Sequence, residues 1–201
     1  ELNLANNPIT NLEEANLGLL AGIPLRSLDL SFNRVTREDR TLLSPADISL
    51  LAEFRSLEVL RLAGNQVESA DGLAGLTNLR ELDLQGNQLA DLRFLEGLTL
   101  LETLNLAGNQ VPDITVLRRL GKLRTLDLQA NVITDITALG GLVLLEEINL
   151  AENQVSDLSP LRDALRLRAL DLHGNLVGDI SVLADHLKLV ELDLSGNQVR
   201  D

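Results

Sequence analysis

The chain has 201 residues, a formal net charge of -13, no cysteine, no Trp, Tyr or Met, and only three Phe. Without cysteine there are no disulfides, thiolate metal sites or cysteine nucleophiles, and with so few aromatic rings the core must be built mainly by leucine. The negative balance disfavours nucleic acid and anionic membrane, which need Lys and Arg against phosphate; it leaves a basic partner or plain solubility as its use. No apolar run reaches the roughly 20 residues of a bilayer span, so no membrane insertion is expected. No secretory leader is legible.

Taken in chain order, the first element is a short alternating stretch, LNLANN, that ends in Asn7. The second, LRSLDLSFN, ends in Asn33. The phrase L-x-x-L-x-L-x-x-N then returns at Asn65, Asn87, Asn109, Asn131, Asn153, Asn175 and Asn197, every 22 residues. Two intervals are longer: 26 residues from Asn7 to Asn33 and 32 from Asn33 to Asn65. The surplus of the longer one falls over about 36–55. There Ser44-Pro45-Ala46-Asp47 reads as a helix start, with a cap, a proline in the first turn and an acidic residue three places on. Ile48, Leu50, Leu51 and Phe54 supply an apolar run behind it, predicting one helix near 45–54. Insertions into a repeat often carry function, so this segment is a candidate second site as well as an enlarged turn.

Each regular copy reads the same way. In LETLNLAGN, Leu104 and Leu106 alternate with Thr103 and Asn105, the signature of a strand with one face inward. Asn109 follows at a bend, where its amide can satisfy backbone groups that a turning chain leaves unpaired. Gly64, Gly86, Gly108, Gly174 and Gly196 stand just before the asparagine, where the bend leaves little room. Asp91, Asp113, Asp135, Asp157, Asp179 and Asp201 form a column placed to cap a short helical turn on the opposite side. No copy can bury its leucines alone; stacking supplies the missing wall.

This pattern resembles the 22-residue class of leucine-rich repeats, which includes the bacterial internalins and the leucine-rich regulatory subunit of protein phosphatase 1. The resemblance implies an α/β solenoid: a right-handed, curved array with a parallel sheet on its concave side and short 3-10 or irregular turns on its convex side. It would span 1–201 as a single domain of about nine repeats, the first and last incomplete. It implies a protein-binding role and slightly favours a bacterial surface or secreted location over the cytoplasm.

Residues pointing out between the inward leucines define the candidate concave face. One column runs Arg26, Glu58, Arg80, Glu102, Arg124, Glu146, Arg168, so each Arg stands beside a Glu and the column can neutralise itself. Two further outward columns, Asp83, Asn105, Asp127, Asn149, Asp171 and Gln85, Ala107, Gln129, Ala151, His173, alternate in step with it, which makes the true unit over much of the array 44 residues. The rest of the face is acidic: Asp29, Glu81, Asp83, Asp127, Glu147, Asp171, Glu191 and Asp193 have no evident partner in the sequence. Arg61, Asn105, Asn149 and His173 complete the candidate site, and Arg61 is the lone basic residue in the aspartate column. A strip of this kind attracts a basic protein surface and speeds its encounter. It serves equally as a solvated face kept soluble by charge. The absence of Trp and Tyr counts against strong hot spots.

Catalytic machinery is not expected. His173 and His186 fall on opposite faces, and His173 has Asp171 on its own strand with Ser195 as the nearest hydroxyl by column. A nucleophile needs a positioned base, and this pattern does not assemble one. A calcium ion on Asp127, Asn149 and Asp171 would meet oxygens in a line rather than a cage. No phosphate-cradling glycine loop appears, so neither metal nor cofactor is expected. The leading expectation is a non-catalytic module that binds a basic protein on its concave face. The alternative is a spacer or scaffold, natural or consensus-like, without a ligand of its own. The end strands, with Leu2, Leu4, Leu192 and Leu194, lack polar covers, so association end to end is also expected as a possibility of the fold.

Overall fold

Alternation of leucine and polar residues produces nine very short strands. They are β1 (Leu2–Asn3), β2 (Ser27–Asp29), β3 (Val59–Arg61), β4 (Glu81–Asp83), β5 (Thr103–Asn105), β6 (Thr125–Asp127), β7 (Glu147–Asn149), β8 (Ala169–Asp171) and β9 (Glu191–Asp193). The computed structural model describes residues 1–7, 9, 12, 15–33 and 45–200. The strands form one parallel sheet in sequence order. Its register puts the central residues Leu28, Leu60, Leu82, Leu104, Leu126, Ile148, Leu170 and Leu192 in one row. All but the last of that row are buried.

Opposite the sheet, each repeat makes a single 3-10 turn, for example Arg93–Gly97, Thr115–Arg119, Thr137–Leu139 and Ser159–Leu161. A 22-residue coil leaves no length for more. The expected helix is present as α1 (Pro45–Leu50), continued by a 3-10 turn at Leu51–Glu53. Ile48, Leu51 and Phe54 are buried in the core as its apolar run requires. The turn Asp71–Leu73 of the next repeat lies so close beneath that a Cβ on Gly72 would stand 2.6 Å from the Ser49 Cα. The proposed cap Ser44, and the insertion before it, lie outside the described residues.

The asparagines form the expected ladder. Asn131 is typical: its Nδ2 donates to the carbonyls of Leu106 and Leu128, and its Oδ1 accepts the Val111 amide of the preceding repeat. Asn87, Asn109, Asn153 and Asn175 do the same, all buried. Each repeat is therefore pinned to its neighbour by polar bonds in the leucine core. The residue before the asparagine has a physical reason for being glycine. It adopts left-handed φ, +64° at Gly86 and +64° at Gly108, a region costly for side chains with a Cβ. Ala130 (φ 52°) and Glu152 (φ 57°) occupy the same position without that freedom.

The convex aspartates do bond the turns, but one residue earlier than a helix cap. Asp113 Oδ1 accepts the Thr115 amide, and Asp91, Asp135, Asp157 and Asp179 accept the equivalent amides two residues on. The cap positions themselves are Leu92, Ile114, Ile136, Leu158 and Ile180, without side-chain bonds. Asp201 lies outside the described residues.

Candidate functional site on the concave sheet

The strand register places the candidate residues in two mostly half-buried rows on one face. The first holds Glu81, Thr103, Thr125, Glu147, Ala169 and Glu191; the second holds Asp29, Arg61, Asp83, Asn105, Asp127, Asn149, Asp171 and Asp193.

The second row does more than face solvent. In every member but Arg61, one side-chain oxygen accepts the backbone amide two residues on: Asp29 from Ser31, Asp83 from Gln85, Asn105 from Ala107, Asp127 from Gln129. Asn149, Asp171 and Asp193 bond Ala151, His173 and Ser195 in the same way. The bond closes the turn after the strand, and Asp and Asn serve alike. Spacing alone did not reveal this role. It means that the residue type is set by the fold, whereas the charge is free to vary.

The self-neutralising column is present. Arg26 pairs with Glu58 at 3.3 Å, Arg80 with Glu102 at 2.6 Å and Arg124 with Glu146 at 2.6 Å. Each Arg reaches the strand that follows it. Among the described residues Arg168 has no such partner, because Val190 holds the next place. One expectation is corrected. Glu81, read from the sequence as unpaired, bonds Arg61 at 2.5 Å. Arg61 lies opposite Asp83 in register, so the pair is diagonal, within reach of a long side chain.

These pairs divide the face. From β2 to β5 most carboxylates meet an Arg. Over β6 to β9 a shallow groove of about 380 Å³ is lined by Asp127, Glu147, Asn149, Asp171, Glu191 and Asp193, with Ala169 at its middle. Among the described residues none of these carboxylates is ion-paired. Partial burial pushes the carboxyls of Asp83 and Asp127 above the ordinary value, against their backbone bonds. Bonds to the hydroxyl and amide of Ser195 hold Asp193 below it.

His173 Nδ1 lies 2.7 Å from Ser195 Oγ, whose hydroxyl donates to Asp193. The serine, not the histidine, stands in the middle. Its proton is taken by the carboxylate, and no acid orients the imidazole as a base, so this trio lacks the relay a serine nucleophile requires. His186 is buried in the convex wall, where other repeats place Leu98, Leu120 or Leu142, and its Nε2 bonds the Leu161 carbonyl at 3.0 Å. Among the described residues there is no group of three metal-ligating side chains and no helix long and apolar enough to cross a membrane.

A family model described as leucine-rich repeats (2 copies) matches residues 55–97, 77–119 and 121–163, and a second leucine-rich repeat model matches 23–44 and 186–201. The chain belongs to the leucine-rich repeat family. No curated protein matches it significantly. Among solved structures it is similar to internalin C2 from Listeria monocytogenes, with 30% identity, a TM-score of 0.76, and coverage of 84% of this chain and 70% of that one. An internalin, InlF, from the same species gives 27%, 0.74, 92% and 58%. A leucine-rich repeat protein of Leptospira interrogans gives 26%, 0.84, 99% and 49%. This leucine-rich repeat array thus spans 49–70% of the length of those relatives, and it is internalin-like in fold. Arrays of this family are in general protein-interaction scaffolds.

Proposed function

We propose that this leucine-rich repeat array is a non-catalytic module that binds a basic protein on its concave face. The unpaired carboxylates of β6–β9 carry the reading. Over β2–β5 an Arg meets Glu58, Glu81 and Glu102; over β6–β9 Arg124 meets Glu146, and the five carboxylates that share the groove have no ion pair among the described residues. Keeping like charges together costs the folded chain stability, and a cationic partner removes that cost on binding. Asp29, Asp83, Asn105 and His173 extend the face to either side. Similarity to bacterial internalins supports a bacterial origin and a surface or secreted location.

The test must not break the turns that the second row closes. Asp127→Asn and Asp171→Asn preserve those bonds, as Asn105 and Asn149 do naturally; Glu147→Gln completes the neutralised triple variant. Wild type and variant are used to capture basic proteins from the source organism and its surroundings over a salt series. A partner held by wild type, lost by the variant and released as salt rises supports the reading. A partner retained equally by both removes the acidic groove from it. The absence of Trp and Tyr favours a second reading, a rigid spacer, for which no partner is retained by either protein.

A further inference from the structure

Three of the four repeats that line the acidic groove carry an exposed apolar residue on the flank where the chain enters the sheet. The residue four places before the strand's first position is Thr77, Thr99 and Gly121 in the repeats of β4, β5 and β6. It is Ile23, also exposed, in the repeat of β2 and Arg55 in that of β3, whereas Val143, Leu165 and Leu187 hold it in the consecutive repeats of β7, β8 and β9. Val143 and Leu165 lie inside the array, with a repeat on either side, yet they are 49% and 48% exposed. Leu187 continues the column. Successive repeats stand about 5 Å apart, so these side chains form one apolar row. Among the described residues the other flank has no such row: its exposed Val132 and Leu176 are separated by Gln154. Four residues of chain, at most about 14 Å, separate the row from Glu147, Ala169 and Glu191.

We infer that β7–β9 and this flank form one composite docking surface for a basic, apolar-edged segment of a partner protein. Lys or Arg side chains enter the acidic groove over Ala169, and apolar side chains lie along Val143, Leu165 and Leu187. The occupant's chemistry follows from complementarity. A purely basic segment leaves the apolar row wet, and a purely apolar one leaves the carboxylates unpaired in a partly desolvated groove. This inference rests on the acidic-groove reading above and adds the apolar contact to it.

The probes are two synthetic peptides of equal length and charge, one alternating Lys and Ser, the other Lys and Leu. Binding to the whole chain is measured by calorimetry near physiological salt. The Lys–Leu peptide is expected to bind about tenfold more tightly, a difference read directly from the two dissociation constants. Val143→Thr with Leu165→Thr and Leu187→Thr, which installs the residue found at Thr77 and Thr99, should abolish that preference while leaving the Lys–Ser affinity unchanged. Circular dichroism verifies folding. Glu147→Gln with Glu191→Gln should weaken both peptides. Equal binding of the two peptides, or a preference that survives the threonine variant, overturns the composite surface and leaves the acidic groove standing. Failure of both peptides to bind wild type overturns the groove reading and the composite surface with it.

Discussion

Asn131 accepts the amide of Val111, in the preceding repeat, at 2.9 Å while donating to the carbonyls of Leu106 and Leu128 at 3.0 Å each. Its removal leaves a buried donor and two buried acceptors short of a partner, each of which costs about 1–3 kcal/mol. Asn131→Ala is therefore expected to lower unfolding free energy by roughly 3 kcal/mol or more. Urea unfolding measures it. A loss under about 1 kcal/mol would place the stability of the stack in the leucines alone.

Glu152 holds a left-handed backbone at φ 57°, at the position where five other repeats use glycine. Glu152→Gly relieves that strain, against the added chain entropy of glycine when unfolded. A net gain of about 0.5–1 kcal/mol is expected, read from the thermal or urea midpoint. The reverse change, Gly108→Ala, should destabilise through its left-handed backbone, although its Cβ would make only ordinary contact, 3.6 Å from Gly86.

Burial raises the carboxyls of Asp83 and Asp127 above their ordinary 3.8. A raised folded-state value means that the charged form is disfavoured by folding. The penalty is present in full above the folded-state value, shrinks as pH falls through it and is gone below 3.8. Asp83→Asn and Asp127→Asn keep the turn-closing bond and remove the charge. Each should stabilise the protein at pH 7, and the advantage over wild type should close as pH falls towards 3.8. Unfolding curves at several pH values decide it; a pH-independent gain would point to packing instead of charge.

Arg124 and Glu146 pair at 2.6 Å but keep 46% and 33% of their side-chain surface in water. A double-mutant cycle is expected to return a coupling of about 0.5 kcal/mol, within the range of exposed pairs, and to fade towards zero in about 1 M salt. A coupling several times larger would make this column a main support of the sheet.

The regular spacing made the strands, the buried asparagines and the Arg/Glu column legible, because each depends on a residue's place within its own repeat. What was not legible depends on three-dimensional reach. Glu81 finds Arg61 diagonally, two residues off the row that a column reading compares. The Asp/Asn row looked like a charged surface because its amide bond runs along its own chain and leaves no mark in spacing. Val143 and Leu165 carry the same side chains as the core, and only the path of the flank shows that they point to water. His186 sits deep in the wall at a leucine position, a depth that its place on the convex side does not reveal.

The pairing of each Arg with the Glu of the following repeat also constrains how such a gene can change in size. Inserting or deleting one 22-residue repeat between Arg80 and Glu146 would preserve every asparagine bond yet bring two like charges side by side at the junction. A gain or loss of two repeats preserves both. Recombination within this stretch should therefore be tolerated best in even steps, so that natural length variants would differ by pairs of repeats.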